Sequence, residues 1–142
     1  MMLHGSCAAR NGAGVLLVGP PGAGKSDLLL RLLHHGFTLV ADDQVAVTRH
    51  HPHWVASAPA TIAGLLEVRG LGVFRLPCDA QANLALVVRL GEASRMPEPD
   101  FYAELDLPAV TIPPFLASSP HRVALALDCA LGRIEQVAGA FA

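Results

Sequence analysis

Gly19-Pro20-Pro21-Gly22-Ala23-Gly24-Lys25-Ser26 is the stretch on which the reading of this chain turns. Its glycines allow backbone conformations that other residues avoid, so successive N–H groups can turn inward and cradle phosphate oxygens at the positive end of a following helix. The spacing is that of a P-loop, Gly-x-x-x-x-Gly-Lys-Ser. Lys25, the only lysine in the chain, is expected to bridge the terminal phosphates. Ser26 is expected to offer its hydroxyl to Mg²⁺, a cation that prefers oxygen ligands and bound phosphates. The alternative is a glycine-rich strand-to-helix turn with no ligand. The motif reading makes Gly19, Pro20, Pro21, Gly22, Ala23, Gly24, Lys25 and Ser26 the binding loop for a purine nucleoside triphosphate, ATP, with Mg²⁺.

The residues on either side supply the context the motif needs. Upstream, Gly14-Val15-Leu16-Leu17-Val18 is a short continuous apolar run, which predicts a strand buried on both faces. Downstream, residues 25–33 have helical propensity and Gly36 follows as a stop. Residues 37–40 predict a second strand that delivers Asp42 and Asp43 at its carboxyl end, where open α/β sheets place their chemistry. Strand, glycine loop, helix and strand are the βαβ opening of an α/β domain. Two adjacent carboxylates beside a phosphate repel it unless a metal or proton intervenes. That makes at least one of Asp42 and Asp43 a metal support or general base, with a solvated Asp-Asp turn as the alternative.

Beyond Asp43, residues 45–47 and 54–56 read as a hairpin around a histidine-rich turn, His50-His51-Pro52-His53. Trp54 reads as a hairpin core residue. Residues 61–76 contain two glycines in a strand-like run, which predicts a loop whose backbone approaches something closely. Glu67 lies there, either paired with Arg69 as a structural ion pair or facing a ligand. Residues 84–90 and 110–112 predict strands, the proline-rich stretch between them an irregular surface segment, and residues 119–138 a helix capped by serine.

Composition narrows the function classes. The chain has 142 residues, 52% of them hydrophobic, which predicts one domain over residues 1–142. A net charge of −2 with 10 basic residues leaves no basic stripe for nucleic acid. The longest apolar stretches are strand-length, short of the ~20 residues of a membrane span, so a soluble cytoplasmic protein is expected. Cys7, Cys78 and Cys129 are far apart, and reduced, mostly buried thiols are expected. With 15% charged residues there is little polar surface for a monomer, so a homo-oligomer is expected.

Taken together, His4-Gly5, the P-loop, Leu39-Val40-Ala41-Asp42-Asp43 and Leu66-Glu67-Val68-Arg69-Gly70-Leu71-Gly72 resemble the catalytic domain of the HPr kinase/phosphorylase family. The resemblance implies a P-loop α/β fold similar to the nucleotide-binding domain of phosphoenolpyruvate carboxykinase, and a hexameric assembly. It implies transfer of phosphate from ATP to a serine of an HPr-like phosphocarrier of a phosphotransferase system. Carried over by position, it makes Asp43 the base for the serine proton, puts Ser26 and Glu67 on Mg²⁺ and Lys25 on the phosphates, sets His4 near the reacting group, and aligns Arg95 with a catalytic arginine. Two departures accompany it. The amino-terminal regulatory domain of longer members is expected to be absent, and the family's basic Pro-Val-x-Pro-Gly-Arg-Asn loop is replaced by residues 113–122, where only Arg122 could substitute for its charge. The resemblance also implies reversal of the transfer with inorganic phosphate in many members, with that basic loop implicated in dephosphorylation, so weak or lost reverse phosphorolysis is the expectation here. A nucleotide sensor that binds ATP without turnover, and a P-loop kinase for a small metabolite, are the alternatives.

Overall fold

Strand-length runs that are apolar at most positions must be covered on both faces, and 14–18, 37–41 and 84–90 are such runs. In the computed structural model, which describes residues 1–142, the runs at 14–18 and 84–90 pair side by side at the centre of the main sheet, and the run at 37–41 is its end strand. The elements in order are β1 (Met2–His4), β2 (Ser6–Arg10), β3 (Ala13–Val18), α1 (Lys25–Leu33), β4 (Thr38–Ala41), β5 (Gln44–His50), β6 (His53–Ser57), a 3₁₀ turn (Ala60–Ile62), β7 (Leu65–Val68), β8 (Gly72–Arg75), β9 (Ala82–Leu90), β10 (Asp100–Tyr102), β11 (Leu107–Ile112) and α2 (Ser119–Ala130).

Nine strands share one sheet in the order β1-β5-β6-β9-β3-β2-β4, with β11 and then β10 added beside β9; β7 and β8 pair apart from it. β3 and β4 are both antiparallel to β2, which lies between them, so they run parallel to each other. β9 runs parallel to β3, and β11 parallel to β9. The carboxyl ends of β4, β3, β9 and β11 therefore share one edge of the sheet. β9 also forks it: Ala82 and Asn83 pair with β6, whereas Val87 to Leu90 pair with β11 on the same side.

Alternation sorts the core into two layers. Val15 and Leu17 join Leu28, Leu29 and Leu32 of α1 and Val123 and Leu127 of α2 on one face. Leu16 joins Val40, Val45, Val47, Val87 and Leu105 on the other. Two irregularities adjust this sorting. The β3–β9 register slips at Ala85, so that Leu84 and Leu86 fall in different layers. The β2–β4 register slips at Val40, so that Val40 and Ala41 share a layer, and the chain is re-aimed just before Asp42.

The structure amends the sequence reading in several places. β1, β2 and β10 are strands that the sequence reading did not include. Residues 65–75 form the β7–β8 hairpin, and Gly70 (φ 88°) and Gly72 (φ 125°) are there for its turn, because nothing in the chain lies within 4 Å of either position's missing side chain. α2 stops at Ala130, since Gly132 adopts a left-handed φ of 71° just beyond it. Its N-cap residue is Ser118, while the Ser119 hydroxyl is fully buried and donates to Pro113 O at 2.5 Å. Of the thiols only Cys7 is buried, and burial pushes it up to about 12; Cys78 is exposed. Trp54 is half-buried against the second layer under the Arg49 guanidinium, and the histidines of the β5–β6 turn are exposed. No helix is long and apolar enough to cross a membrane.

Candidate active site

The loop between β3 and α1 has the glycine geometry its sequence anticipates. Gly22 (φ 81°) and Gly24 (φ 103°) both take left-handed conformations. Gly24 starts α1, and no side chain caps the helix, so its first-turn N–H groups are free to meet an anion. Lys25 is 8% exposed and folds back on its own loop, donating to Gly19 O at 2.7 Å and Pro20 O at 3.0 Å. An ammonium has three donors, and the third remains available.

Asp42 and Asp43 leave β4 in opposite roles. Asp42 accepts from Ser6 Oγ at 2.7 Å and from Ser26 Oγ at 3.0 and 3.1 Å, which ties β2, β4 and the first turn of α1 together. Asp43 makes none of these bonds. Its backbone is left-handed at φ 69°, unusual for a non-glycine residue. The β1–β5 ladder pairs His4 with Gln44, and Gly5 N donates to Asp43 O at 3.1 Å. This pairing brings His4 Nδ1 to 3.7 Å from Asp43 Oδ1, with both side chains more than half exposed.

These groups line a cleft of ≈ 820 Å³ together with Ile62 and with Glu67, Arg69 and Val73 of the β7–β8 hairpin. Strand alternation explains Glu67: Leu66 is buried in the core, and its neighbour faces the other way. Glu67 forms no ion pair with Arg69, so the ion-pair alternative for it is not what the fold adopts. Asp27, Asp42, Asp43 and Glu67 stand against Lys25 and Arg69 in the lining. A cleft with four acids and two bases is a poor host for a bare polyphosphate and a good one for a polyphosphate with a divalent cation. The hydroxyl of Ser26 and the carboxylates of Asp42 and Glu67 are hard oxygen donors of the kind Mg²⁺ takes.

Most residues singled out from the sequence line this cleft; Gly19, Pro20, Ala23 and Arg122 are not in its lining, and neither is Arg95. It lies in the exposed segment between β9 and β10, at the same sheet edge as the loop but outside the cleft lining. Arg122 is in the first turn of α2, its Nε donating to Ser118 Oγ at 2.9 Å. Ser6, which sequence reasoning missed, is fully buried and orients Asp42. Its only signal in the sequence is a hydroxyl opening the otherwise small and apolar run Cys7-Ala8-Ala9. Gly5 has a reason of its own, because a side chain there would come within 2.7 Å of Leu17 O.

Known proteins of one family are similar to this chain. The family model described as HPr Serine kinase C-terminal domain matches residues 1–100. The HPr kinase/phosphorylase of Stenotrophomonas maltophilia (strain K279a) is 34% identical over 133 residues, covering 80% of this chain and 42% of that protein. The HPr kinase/phosphorylase of Clostridium tetani (strain Massachusetts / E88) is 41% identical over 75 residues, covering 53% of this chain and 25% of that protein. The chain thus spans less than half the length of these relatives. The solved structure of the Hpr(Ser) kinase/phosphatase from Coxiella burnetii superposes with a TM-score of 0.77 at 22% identity, covering 93% of this chain and 97% of that one. At that identity the likeness establishes the fold.

Proposed function

The chain belongs to the HPr serine kinase C-terminal domain family, and from that premise we propose that it is a cytoplasmic, ATP-dependent kinase that phosphorylates a serine of an HPr-like phosphocarrier. The observation that carries this reading is Asp43: an exposed carboxylate beside His4 that lines the cleft with Lys25 and Ser26 yet is free of the bonds that occupy Asp42. The glycine loop and the uncapped α1 terminus would hold the phosphates, and Lys25 would direct its remaining donor at them. Ser26, Asp42 and Glu67 would hold Mg²⁺, which when bound neutralises phosphate charge. Asp43 would accept the serine proton as the serine oxygen attacks the terminal phosphorus and the bond from that phosphorus to the departing ADP breaks, and His4 would keep that carboxylate in place. Phosphoryl transfer asks a protein mainly for positioning and charge neutralisation, and these residues supply both.

The test is to incubate the purified protein with radiolabelled ATP, Mg²⁺ and the host's HPr-like carrier. Label on a carrier serine is the expected result, and tight ATP binding with no label transferred would replace the kinase with a nucleotide sensor.

Two further outcomes follow from the same reading. Reverse phosphorolysis should be weak, because residues 113–118 carry no basic side chain and Arg122 is held by Ser118. Robust release of phosphate from phosphorylated carrier on adding inorganic phosphate would contradict it. The protein should also be a homo-oligomer. Leu71, Val73, Leu125 and Val137 are all more than half exposed, and apolar surface of this kind favours self-association; a monomeric mass in light scattering at micromolar concentration would refute it.

A further inference from the structure

The exposed phenyl ring of Phe115 sits against the glycine that opens α1. Phe115 is 68% exposed, yet it is not loose: a side chain carbon added at Gly24 would come within 2.7 Å of its Cζ and 2.9 Å of its Cε1. Only glycine at position 24 lets the ring approach this closely, a requirement separate from the left-handed φ of that residue. The loop that carries the ring is fixed from below. Arg31 donates to Leu116 O at 3.2 Å and to Pro114 O, and is itself held by Asp27 at 2.9 Å. Ser119 Oγ donates to Pro113 O and accepts from Leu116 N at 3.0 Å. A large aromatic side chain is thus held at the surface by four polar contacts around it, where burial would ordinarily be favoured.

Topology says what this ring can reach. Along the shared carboxyl edge the order is β11, β9, β3, β2, β4. Asp42 and Asp43 follow β4, two strands to one side of the glycine loop that follows β3. Phe115 follows β11, two strands to the other side. A triphosphate lying on the loop with its terminal phosphate toward Asp43 must send its sugar and base toward the opposite flank, where the ring stands. We infer that Phe115 is the stacking platform for the purine base of the bound nucleotide, a specificity-determining contact on the flank opposite Asp43. The inference rests on the nucleotide reading of the loop. An aromatic face stacks on a base without reading its edge hydrogen bonds, so the contact distinguishes nucleotides from bare polyphosphate more than adenine from guanine.

Calorimetric titration of the full chain with MgATP and with Mg-tripolyphosphate, which has the phosphates and no base, tests it. Phe115→Ala is expected to weaken MgATP about 10–100-fold and to leave tripolyphosphate within about twofold, while Phe115→Trp keeps MgATP affinity. Equal weakening of both ligands would mean that the substitution only disturbs the loop, and would overturn the inference. So would unchanged MgATP affinity, including the case where only the carrier's KM rises, which would make the ring a protein-docking contact. If the wild type binds MgATP and tripolyphosphate equally well, the base is not read and the inference fails while the phosphate loop stands. If it binds neither, the nucleotide reading falls and takes the inference with it.

Discussion

Replacing Asp43 with asparagine is expected to slow phosphoryl transfer to the carrier by about 10²–10⁴-fold, the range for loss of a positioned general base. MgATP affinity should stay within about twofold, because the loss concerns a proton accepted during the reaction. Asparagine is the informative replacement here. It is nearly the same size as aspartate, and it is among the residues that best tolerate the left-handed backbone that Asp43 adopts at φ 69°. The melting temperature should therefore be unchanged. Single-turnover kinetics with pre-bound MgATP isolate the step, and a variant that transfers at the wild-type rate would remove Asp43 from the chemistry. Asp42→Asn makes a useful contrast. That carboxylate is engaged by Ser6 and Ser26, so its loss should raise the Mg²⁺ concentration needed for half-maximal activity, which Asp43→Asn should not do.

Lys25→Ala is expected to impair nucleotide binding, phosphoryl transfer and stability together. The side chain does two things at once: it staples the loop through Gly19 O and Pro20 O, and it presents a positive charge in a largely buried position. Removing it leaves two carbonyl oxygens without their donor, which costs about 1–3 kcal/mol of loop or fold stability. It also removes a charge-assisted contact to phosphate, which should weaken MgATP about 10–100-fold and slow transfer further, because charge on the transferring group is what such contacts stabilise. Lys25→Arg should not rescue either property. A planar guanidinium cannot fold back on both carbonyls from a position only 8% exposed and still direct a donor outward. Titration calorimetry and thermal melting separate the two roles: an alanine variant that binds MgATP like the wild type would refute the phosphate contact, and one that melts like the wild type would refute the staple.

Much of the site was legible because its chemistry is local. The glycine loop, Lys25 and Ser26 are consecutive, and an uninterrupted apolar run on one side with a helix on the other leaves few places for them to go. The same locality made β3, β4 and β9 readable, since each buried run announces itself by composition, whereas β11 was read only over residues 110–112. Ser6 was not legible. A serine is ordinary in any strand, and its meaning comes from a carboxylate 36 residues away. β1 and β10 were missed because three-residue strands have no measurable period; they exist because β5 and β11 offer them partners. The helix read to residue 138 ends at Ala130 for a reason present in the sequence, Gly132, which outweighed the apolar residues beyond it.

By itself, then, the amino-acid order determined an α/β fold entered through a phosphate-type loop, and the pair of acids that follows it. Those features depend on backbone freedom, buried runs and adjacency, all of which are written within a few residues of one another. The tertiary structure decided the rest. It divided Asp42 from Asp43, binding one to two serines and leaving the other beside His4, through a bulge at Val40 and a ladder between β1 and β5. It turned Glu67 into the cleft by alternation against Leu66, left Arg95 outside, and set Phe115 on Gly24 from a strand more than 80 residues downstream of the loop. Each of these depends on which strand lies beside which, and sheet order is settled by long-range pairing that no local pattern encodes.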